Sequence, residues 1–230
     1  MAIPFEQLTS TTLRVRIAEK LREAILNGSL PEGERLVERK LASQFATSLT
    51  VVREALIELE SEGFVVKKPN ASTYVIKMTW DSAQKLFAVR NQLEAYAVEE
   101  AACLGTAAQM RHLEQLYVEL LDAATAKDIQ RFIRKDFSLH EAIWQMAGNE
   151  YLQAALRRAV LPIFSASAIR IASRRPFDLA QDAQLHLPLI DAIRNKDPRG
   201  ARLALETAMQ AWLAEVRTHM FSPNHEDHED

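Results

Sequence analysis

Glycine and cysteine are scarce in this chain of 230 residues, which has six of the first and one of the second. Few glycines, with many alanines and leucines, favour helix over sheet. The single cysteine, Cys103, cannot form an internal disulfide, which is typical of a reducing cytoplasm. Its alanine-rich helical surroundings predict a position in the core. The opening residues MAIPFEQLTS show no signal-peptide pattern, and no apolar run is long enough to span a bilayer. We therefore expect a cytoplasmic protein without membrane partners.

An excess of positive charge is also absent, since the net charge is −3. Residues 1–78 carry 11 Lys and Arg against 10 Asp and Glu, and residues 79–230 carry 17 against 21. The net charges of the two parts are therefore +1 and −4. Because DNA binding requires a local basic patch and not a basic protein, the total charge does not decide for or against it.

Residues 1–78 predict a winged helix-turn-helix domain, built from three helices and a β-hairpin. Apolar residues at helical spacing predict a first helix that ends near Gly28, a second over about 37–45 and a third over about 48–61. The runs FVVKK and TYVIK, joined by PNAS, predict the hairpin.

The remainder predicts an all-α bundle of six or seven helices over residues 79–221 and a disordered tail over 222–230, so the fold class is mainly α. Turn and capping residues place helices near 81–104, 107–126, 128–147, 150–171, 178–195 and 198–220. Pro162 and Pro188 lie inside two of these, and we expect both prolines to kink their helices.

The third helix has the features of a helix that enters a DNA groove. Its apolar positions, 52, 55, 56 and 59, form one stripe, while Ser48, Thr50 and Arg53 cluster at its N-terminal end. The alternative is that Arg53 is a solvated charge paired with a nearby glutamate. This helix alone does not decide between the two.

The wider pattern resembles the GntR family of bacterial repressors over residues 12–77. The resemblance rests on AILNGSLPEGERLVERKLASQF, on Ser48, Thr50 and the run VREAL, and on the later pairs Leu-Glu and Glu-Gly. It implies that Arg35 and Arg53 touch operator DNA, as does the wing tip, where the family's glycine is Ser72. The family's Ser-Arg-Thr-Pro is Ser48-Leu49-Thr50-Val51 here.

The helix pattern and the resemblance together predict a DNA-binding set of Arg35, Ser48, Leu49, Thr50, Arg53 and Ser72. The arginine replaced by Leu49 commonly reads a guanine, and such a pair discriminates by ~1–3 kcal/mol. We therefore expect either a different operator or a lower affinity, and Leu49 is able to contact a thymine methyl instead.

Asp136 and His140 stand four residues apart in a predicted helix, so they share one face. A carboxylate and an imidazole at this spacing either chelate a cation or form a hydrogen-bonded surface pair. Arg90 and Glu94 have the same spacing. Arg90 is either in an intrahelical ion pair or an anchor for a ligand carboxylate.

Residues 81–220 resemble the FCD domain, the ligand-sensing and dimerisation domain of the FadR-type branch of the family. The matching segments are VRNQLEAYAVEEAA, DFSLHEAIWQMAGNEYL and LHLPLIDAIRNKDPRGARLAL. The resemblance implies a divalent metal, such as zinc, nickel or manganese, on Asp136, His140, His186 and a fourth histidine. That histidine is Ala208 here. A three-ligand site, with Asp182 nearby, and a metal-free pocket both remain open.

These features predict a homodimeric regulator that binds double-stranded operator DNA. We expect a repressor released by a small metabolite such as an organic or sugar acid. Two alternatives stay open: a metal-dependent hydrolase that uses the Asp–His–His set, and a ligand-blind DNA-binding protein with a degenerate sensor domain.

Overall fold

The computed structural model describes residues 12–68, 72–173 and 178–221, and the chain divides into two compact units, residues 1–77 and 78–230. The predicted tail over 222–230 lies outside the described residues. Within the described part of the chain, no helix is long and apolar enough to cross a membrane.

The first unit is a winged helix-turn-helix, as the sequence predicts. Its helices are α1 (Thr12–Leu26), α2 (Glu38–Gln44) and α3 (Leu49–Ser61), and its strands are β1 (Arg35–Leu36), β2 (Val65–Lys68) and β3 (Ser72–Val75). The strands form an antiparallel sheet in the order β1-β3-β2. Strand β1 was not predicted, because two residues are too few to display a strand periodicity.

Helix α3 begins at Ser48, whose side chain accepts a hydrogen bond from the Val51 backbone N–H. Its predicted apolar stripe is buried, with Val52, Ala55 and Leu59 fully enclosed. Burial of a leucine-sized side chain contributes ~1.5–3 kcal/mol, so the stripe holds α3 in place and leaves its opposite face to solvent.

The second unit contains seven described helices. They are α4 (Trp80–Leu104), α5 (Ala107–Thr125), α6 (Ile129–Met146), α7 (Glu150–Ser173), α8 (Leu179–Gln184), α9 (Leu187–Arg194) and α10 (Pro198–Met220). The single helix predicted over 178–195 is thus two helices. Pro188 is the physical reason, since proline is compatible with the first turn of a helix but not with its interior. Pro162, by contrast, remains inside α7.

The core of the second unit is formed mainly by α4, α5, α6, α9 and α10. Met146 lies in this core, and Trp144 is buried in a second apolar cluster with residues of α7. The prediction for Cys103 is wrong, because this side chain is exposed. Its neighbours Ala101 and Ala102 fill the core-facing side of α4 instead.

The beginning of the second unit is held by the far end of α7. Arg170, which is buried, donates a hydrogen bond of 2.6 Å to the Met78 carbonyl. Its guanidinium also lies over the ring of Phe221, 4.3 Å from the centroid, and that ring contacts Trp80. The first residues of this unit are therefore anchored before α4 starts.

Candidate functional sites

The N-terminal end of α3 presents the polar cluster expected of a groove-binding helix. Ser48, Thr50 and Arg53 are exposed there, and Leu49 is partly buried. The side-chain oxygen of Ser48 caps the helix, and its hydroxyl hydrogen remains able to donate. Free backbone N–H groups at this end also favour a phosphate.

Arg53 is both exposed at the DNA-binding end of α3 and paired with a glutamate, so the two alternatives that the sequence left open do not exclude each other. Its side chain is 60% exposed, and its Nε lies 2.6 Å from Glu38 Oε2. The paired glutamate therefore exists, on α2. An ion pair in solvent is worth only ~0–1 kcal/mol, so it does not prevent Arg53 from exchanging Glu38 for a phosphate or a base.

The two predicted contacts outside α3 lie in the sheet. Arg35 is exposed in β1 opposite Tyr74, and Ser72 begins β3 opposite Lys68. Two cations absent from the sequence-based set, Arg39 and Lys40, are exposed on α2. The available signal was the run Glu-Arg-Lys at the start of that helix, which in a helix-turn-helix crosses the DNA backbone.

The second unit encloses a cavity of about 70 Å³. Residues from α4, α6, α7, α8, α9 and α10 contribute to its wall. Its polar lining comprises Arg90, Asp136, His140, Ser167, Asp182 and His186. The rest of the wall is apolar, including Phe164 and Trp212, and Ala208 also faces the cavity. The structure therefore brings the four candidate residues of the helical unit, far apart in sequence, to one site.

Asp136, His140 and His186 form a cluster of ligand atoms suited to a metal ion. One ligand atom from each lies within 4.8 Å of the others. Donors around a single zinc are separated by roughly 3–4 Å, because each lies ~2.0–2.2 Å from the ion. Small side-chain movements would close the cluster around a cation. Asp182 is not part of it.

The donor set itself fits a metal. Asp136 Oδ1 lies 3.0 Å from His186 Nε2 and 3.7 Å from His140 Nε2. Despite the short first distance, this buried oxygen has no partner with hydrogen-bond geometry among the described residues. A carboxylate oxygen and two imidazole nitrogens converge at one point, which is the arrangement that a shared cation satisfies.

The Nδ1 atom of each imidazole contacts an acceptor oxygen on the side away from the cluster, which fixes the orientation of the ring. His140 Nδ1 lies 3.1 Å from Glu94 Oε1, and His186 Nδ1 lies 3.3 Å from the Ala183 carbonyl. An acceptor at Nδ1 favours the tautomer with the proton there, which leaves the Nε2 lone pair to accept. On His140 this lone pair faces the Arg90 guanidinium, whose Nη2 lies 3.4 Å away, so a metal would replace that contact. Glu94 was missed as a site residue, because it lies far from His140 in sequence.

Arg90 is paired with Glu94, as one interpretation predicts, but the pair is not on the surface. Arg90 Nε donates to Glu94 Oε2 at 2.7 Å, and the two side chains are only 5% and 1% exposed. Burial alone would raise the pKa of Glu94, but the charges of Arg90 and His140 lower it to about 2. Glu94 is therefore ionised, and Arg90 still lines the cavity.

Two further groups have displaced pKa values. Burial would lower the pKa of His186, but the contact with Asp136 raises it to about 9. Burial raises the pKa of Asp182 to about 7, and the negative charge of Asp136 adds to this effect. Without a metal, His186 and Asp136 form an ion pair, and a divalent cation would replace the proton of that pair.

Two protein families match this chain. Residues 13–75 match the model described as bacterial regulatory proteins, gntR family, and residues 85–211 match the FCD domain. The two matches cover the winged unit and most of the helical unit.

Individual relatives cover nearly the whole chain. The uncharacterized HTH-type transcriptional regulator YieP of Escherichia coli K12 is 30% identical, over 92% of this chain and 99% of its own length. The gluconate operon transcriptional repressor of Bacillus subtilis is 25% identical, over 84% of this chain and 81% of its own length. The solved structure of E. coli McbR/YncC superposes with a TM-score of 0.72 at 24% identity, over 90% of this chain and 98% of that one, and shows the same fold.

Proposed function

The chain belongs to the GntR family of regulators and carries an FCD domain, so it is a DNA-binding transcriptional regulator and not an enzyme; we propose that it is a repressor whose operator binding is controlled by a small carboxylic acid. Several relatives are named as repressors, two of them of a gluconate operon. Gluconate is a sugar acid, which is consistent with an acid as the effector here. As a regulator of a bacterial operon, the protein would act in the cytoplasm.

The observation that carries this proposal is the cavity with charged groups in its wall. A helical unit that served only as a scaffold would fill its interior with apolar side chains, since buried charges are costly. A ligand-blind protein therefore has no physical reason to maintain this set. The walls combine an arginine and a cation-binding cluster with apolar surface, which suits a small anion with a hydrocarbon part.

The metal contributes charge and open positions to this site. Asp136, His140 and His186 would hold a divalent cation, which would attract a carboxylate to the positions that the protein leaves unfilled. Arg90 then adds a second positive group for the same anion. Ala208 leaves space where a fourth protein ligand would reduce the number of open positions.

DNA binding is assigned to α3 with support from α2 and the sheet. Thr50, Leu49 and Arg53 would face base edges, while Arg35, Arg39 and Ser72 would contact the backbone. We propose a homodimer, because two such helices reading two half-sites explain how a ligand controls binding. A change in the spacing of the helices would remove one half-site contact.

The first test is elemental analysis of the purified protein, with Asp136→Ala and His186→Ala as variants. About one zinc, nickel or manganese per chain is expected, and it should be lost in both variants. DNA release is then measured by fluorescence anisotropy on a fragment from upstream of the protein's own gene. Absence of metal in every sample after loading would refute the metal site. Failure to bind DNA upstream of its own gene and of the neighbouring genes would contradict the proposed repressor.

A further inference from the structure

Asp182 is a buried acid whose carboxyl has no hydrogen-bond or ion-pair partner among the described residues. It lies in α8, its side chain lines the cavity, and the residue is only 5% exposed. Across the described parts of the chain, its carboxyl makes no hydrogen bond and no ion pair. It is also outside the Asp136, His140 and His186 cluster. A metal on those residues would therefore leave Asp182 unpaired.

This carboxyl has no role in the helix that carries it. The N-terminal end of α8 is capped by Asp178, which accepts from the Ala180 and Gln181 backbone N–H groups. Asp182 is free of that task and faces the cavity instead. Buried polar side chains nearly always have a hydrogen-bond partner, and burial of one without a partner destabilises the folded protein. A group supplied from outside the protein would remove this cost.

We infer that Asp182 is a specificity-determining residue that accepts a hydrogen bond from a hydroxyl group of the effector, which makes the effector a small hydroxycarboxylic acid. This inference rests on the proposed function, in which the carboxylate of the effector lies at the metal and Arg90. A hydroxyl suits Asp182 in either protonation state, because it both donates and accepts. An ammonium group would suit only the ionised form.

The volume of the cavity limits the size of such an acid. A cavity of about 70 Å³ suits a compact acid. Asp182 and Arg90 line the same cavity, so one compact molecule is able to reach both. An acid that lacks the hydroxyl would bind more weakly than the hydroxy acid. Its binding would remove water from Asp182 without giving the carboxyl a new hydrogen bond.

The test compares three matched pairs of acids on the zinc-loaded, full-length protein by isothermal titration calorimetry. The pairs are glycolate and acetate, lactate and propionate, and malate and succinate, each differing by one hydroxyl. In at least one pair, the hydroxy acid should bind roughly 10- to 100-fold more tightly, the range for a hydrogen bond to a charged group. Asp182→Ala should abolish this ratio, and Asp182→Asn should keep part of it, since the amide oxygen still accepts.

The control variant is Asp191→Asn, an exposed carboxylate of α9 that pairs with Arg194 outside the cavity. It should keep the full ratio. A second readout is the Tm without ligand, which should not fall in Asp182→Asn, because the amide keeps the side-chain volume and no hydrogen bond or ion pair among the described residues is lost. A clear fall would assign a structural role to Asp182 and overturn the inference.

The acid series distinguishes the role of Asp182 from the proposed carboxylate sensor. Equal affinity within every pair, unchanged by Asp182→Ala, would overturn the role of Asp182 but leave a carboxylate sensor in place. Failure of all six acids to bind would refute the carboxylate sensor itself, and the inference with it. Preferential binding of a hydroxy acid that survives in Asp182→Ala would assign its hydroxyl to another residue.

Discussion

Each unit of this protein contains an arginine–glutamate pair of nearly the same length, in opposite surroundings. Arg53 Nε and Glu38 Oε2 are 2.6 Å apart in the winged unit, where the arginine side chain is 60% exposed. Arg90 Nε and Glu94 Oε2 are 2.7 Å apart in the helical unit, where the side chains are 5% and 1% exposed. The contacts look alike, but the solvent around them differs.

Solvent decides what each arginine is able to do. The exposed pair is weakened by water and salt, so Arg53 exchanges its partner at little cost when DNA arrives. The buried pair is not screened, and separating it would leave a charge without water. Arg90 therefore fixes Glu94, and Glu94 in turn fixes His140 and the Trp144 indole N–H. One arginine is available for exchange and the other is part of the scaffold.

Removing the buried arginine should have the largest effect. Arg90→Met leaves the buried Glu94 carboxylate without its guanidinium partner, so we expect a loss of about 3–5 kcal/mol in the free energy of unfolding. Arg53→Met, the matched change in the exposed pair, should cost less than about 0.5 kcal/mol. Urea unfolding followed by circular dichroism measures both. All three tryptophans lie in the helical unit, so their fluorescence reports Arg90→Met separately. Equal costs would contradict the comparison.

Metal addition should affect the helical unit alone. At zinc concentrations about 100-fold above Kd, the wild-type protein should gain ~2.7 kcal/mol, and Asp136→Ala and His186→Ala should gain none. His112→Ala removes an exposed histidine of α5 and should behave as wild type. Amide hydrogen exchange would locate the added protection. If metal slowed amide exchange in α3 but not in α6 or α9, the metal would bind outside the proposed cluster.

Removing the exposed arginine should affect DNA binding more than stability. Arg53→Ala should weaken binding to the upstream fragment by ~1–3 kcal/mol, the range for an arginine that contacts a base. Arg14→Ala is the control, since Arg14 is also a partly exposed arginine with a glutamate partner, Glu58, but lies on α1. Anisotropy titrations at two salt concentrations measure the loss. Equal losses in both variants would indicate a general effect of charge.

Releasing Arg53 from its partner should have the smallest effect. Glu38→Gln removes a competitor for Arg53 and a negative charge near the DNA, so affinity should rise by ~0.2–1 kcal/mol at low salt. The gain should decrease as salt increases, because the pair is already screened. A decrease in affinity would mean that Glu38 orients Arg53 for DNA, and the exchange described above would be wrong.

The parts of this structure that follow from local patterns could be predicted, and the parts that depend on distant contacts could not. The apolar stripe and cap of α3 lie within 14 residues, and both were predicted. The break before α9 could have been predicted, since Pro188 and its incompatibility with a helix interior are local. Glu94 and His140, by contrast, are 46 residues apart and meet only through the packing of α4 on α6. The isolation of Asp182 is likewise a property of its surroundings and leaves no trace in its neighbours.

The hydrogen bond from Arg170 to the Met78 carbonyl connects α7 to the first residue of the second unit. Ile163, Phe164 and Ser167 of this helix line the cavity, and Arg170 follows within one turn of Ser167. An α-helix rises 1.5 Å per residue, so Ser167 and Arg170 are only about 4.5 Å apart along the axis. The carbonyl that Arg170 holds belongs to the first residue after the winged unit. A displacement of α7 at the cavity would therefore reach the main chain at the start of the second unit.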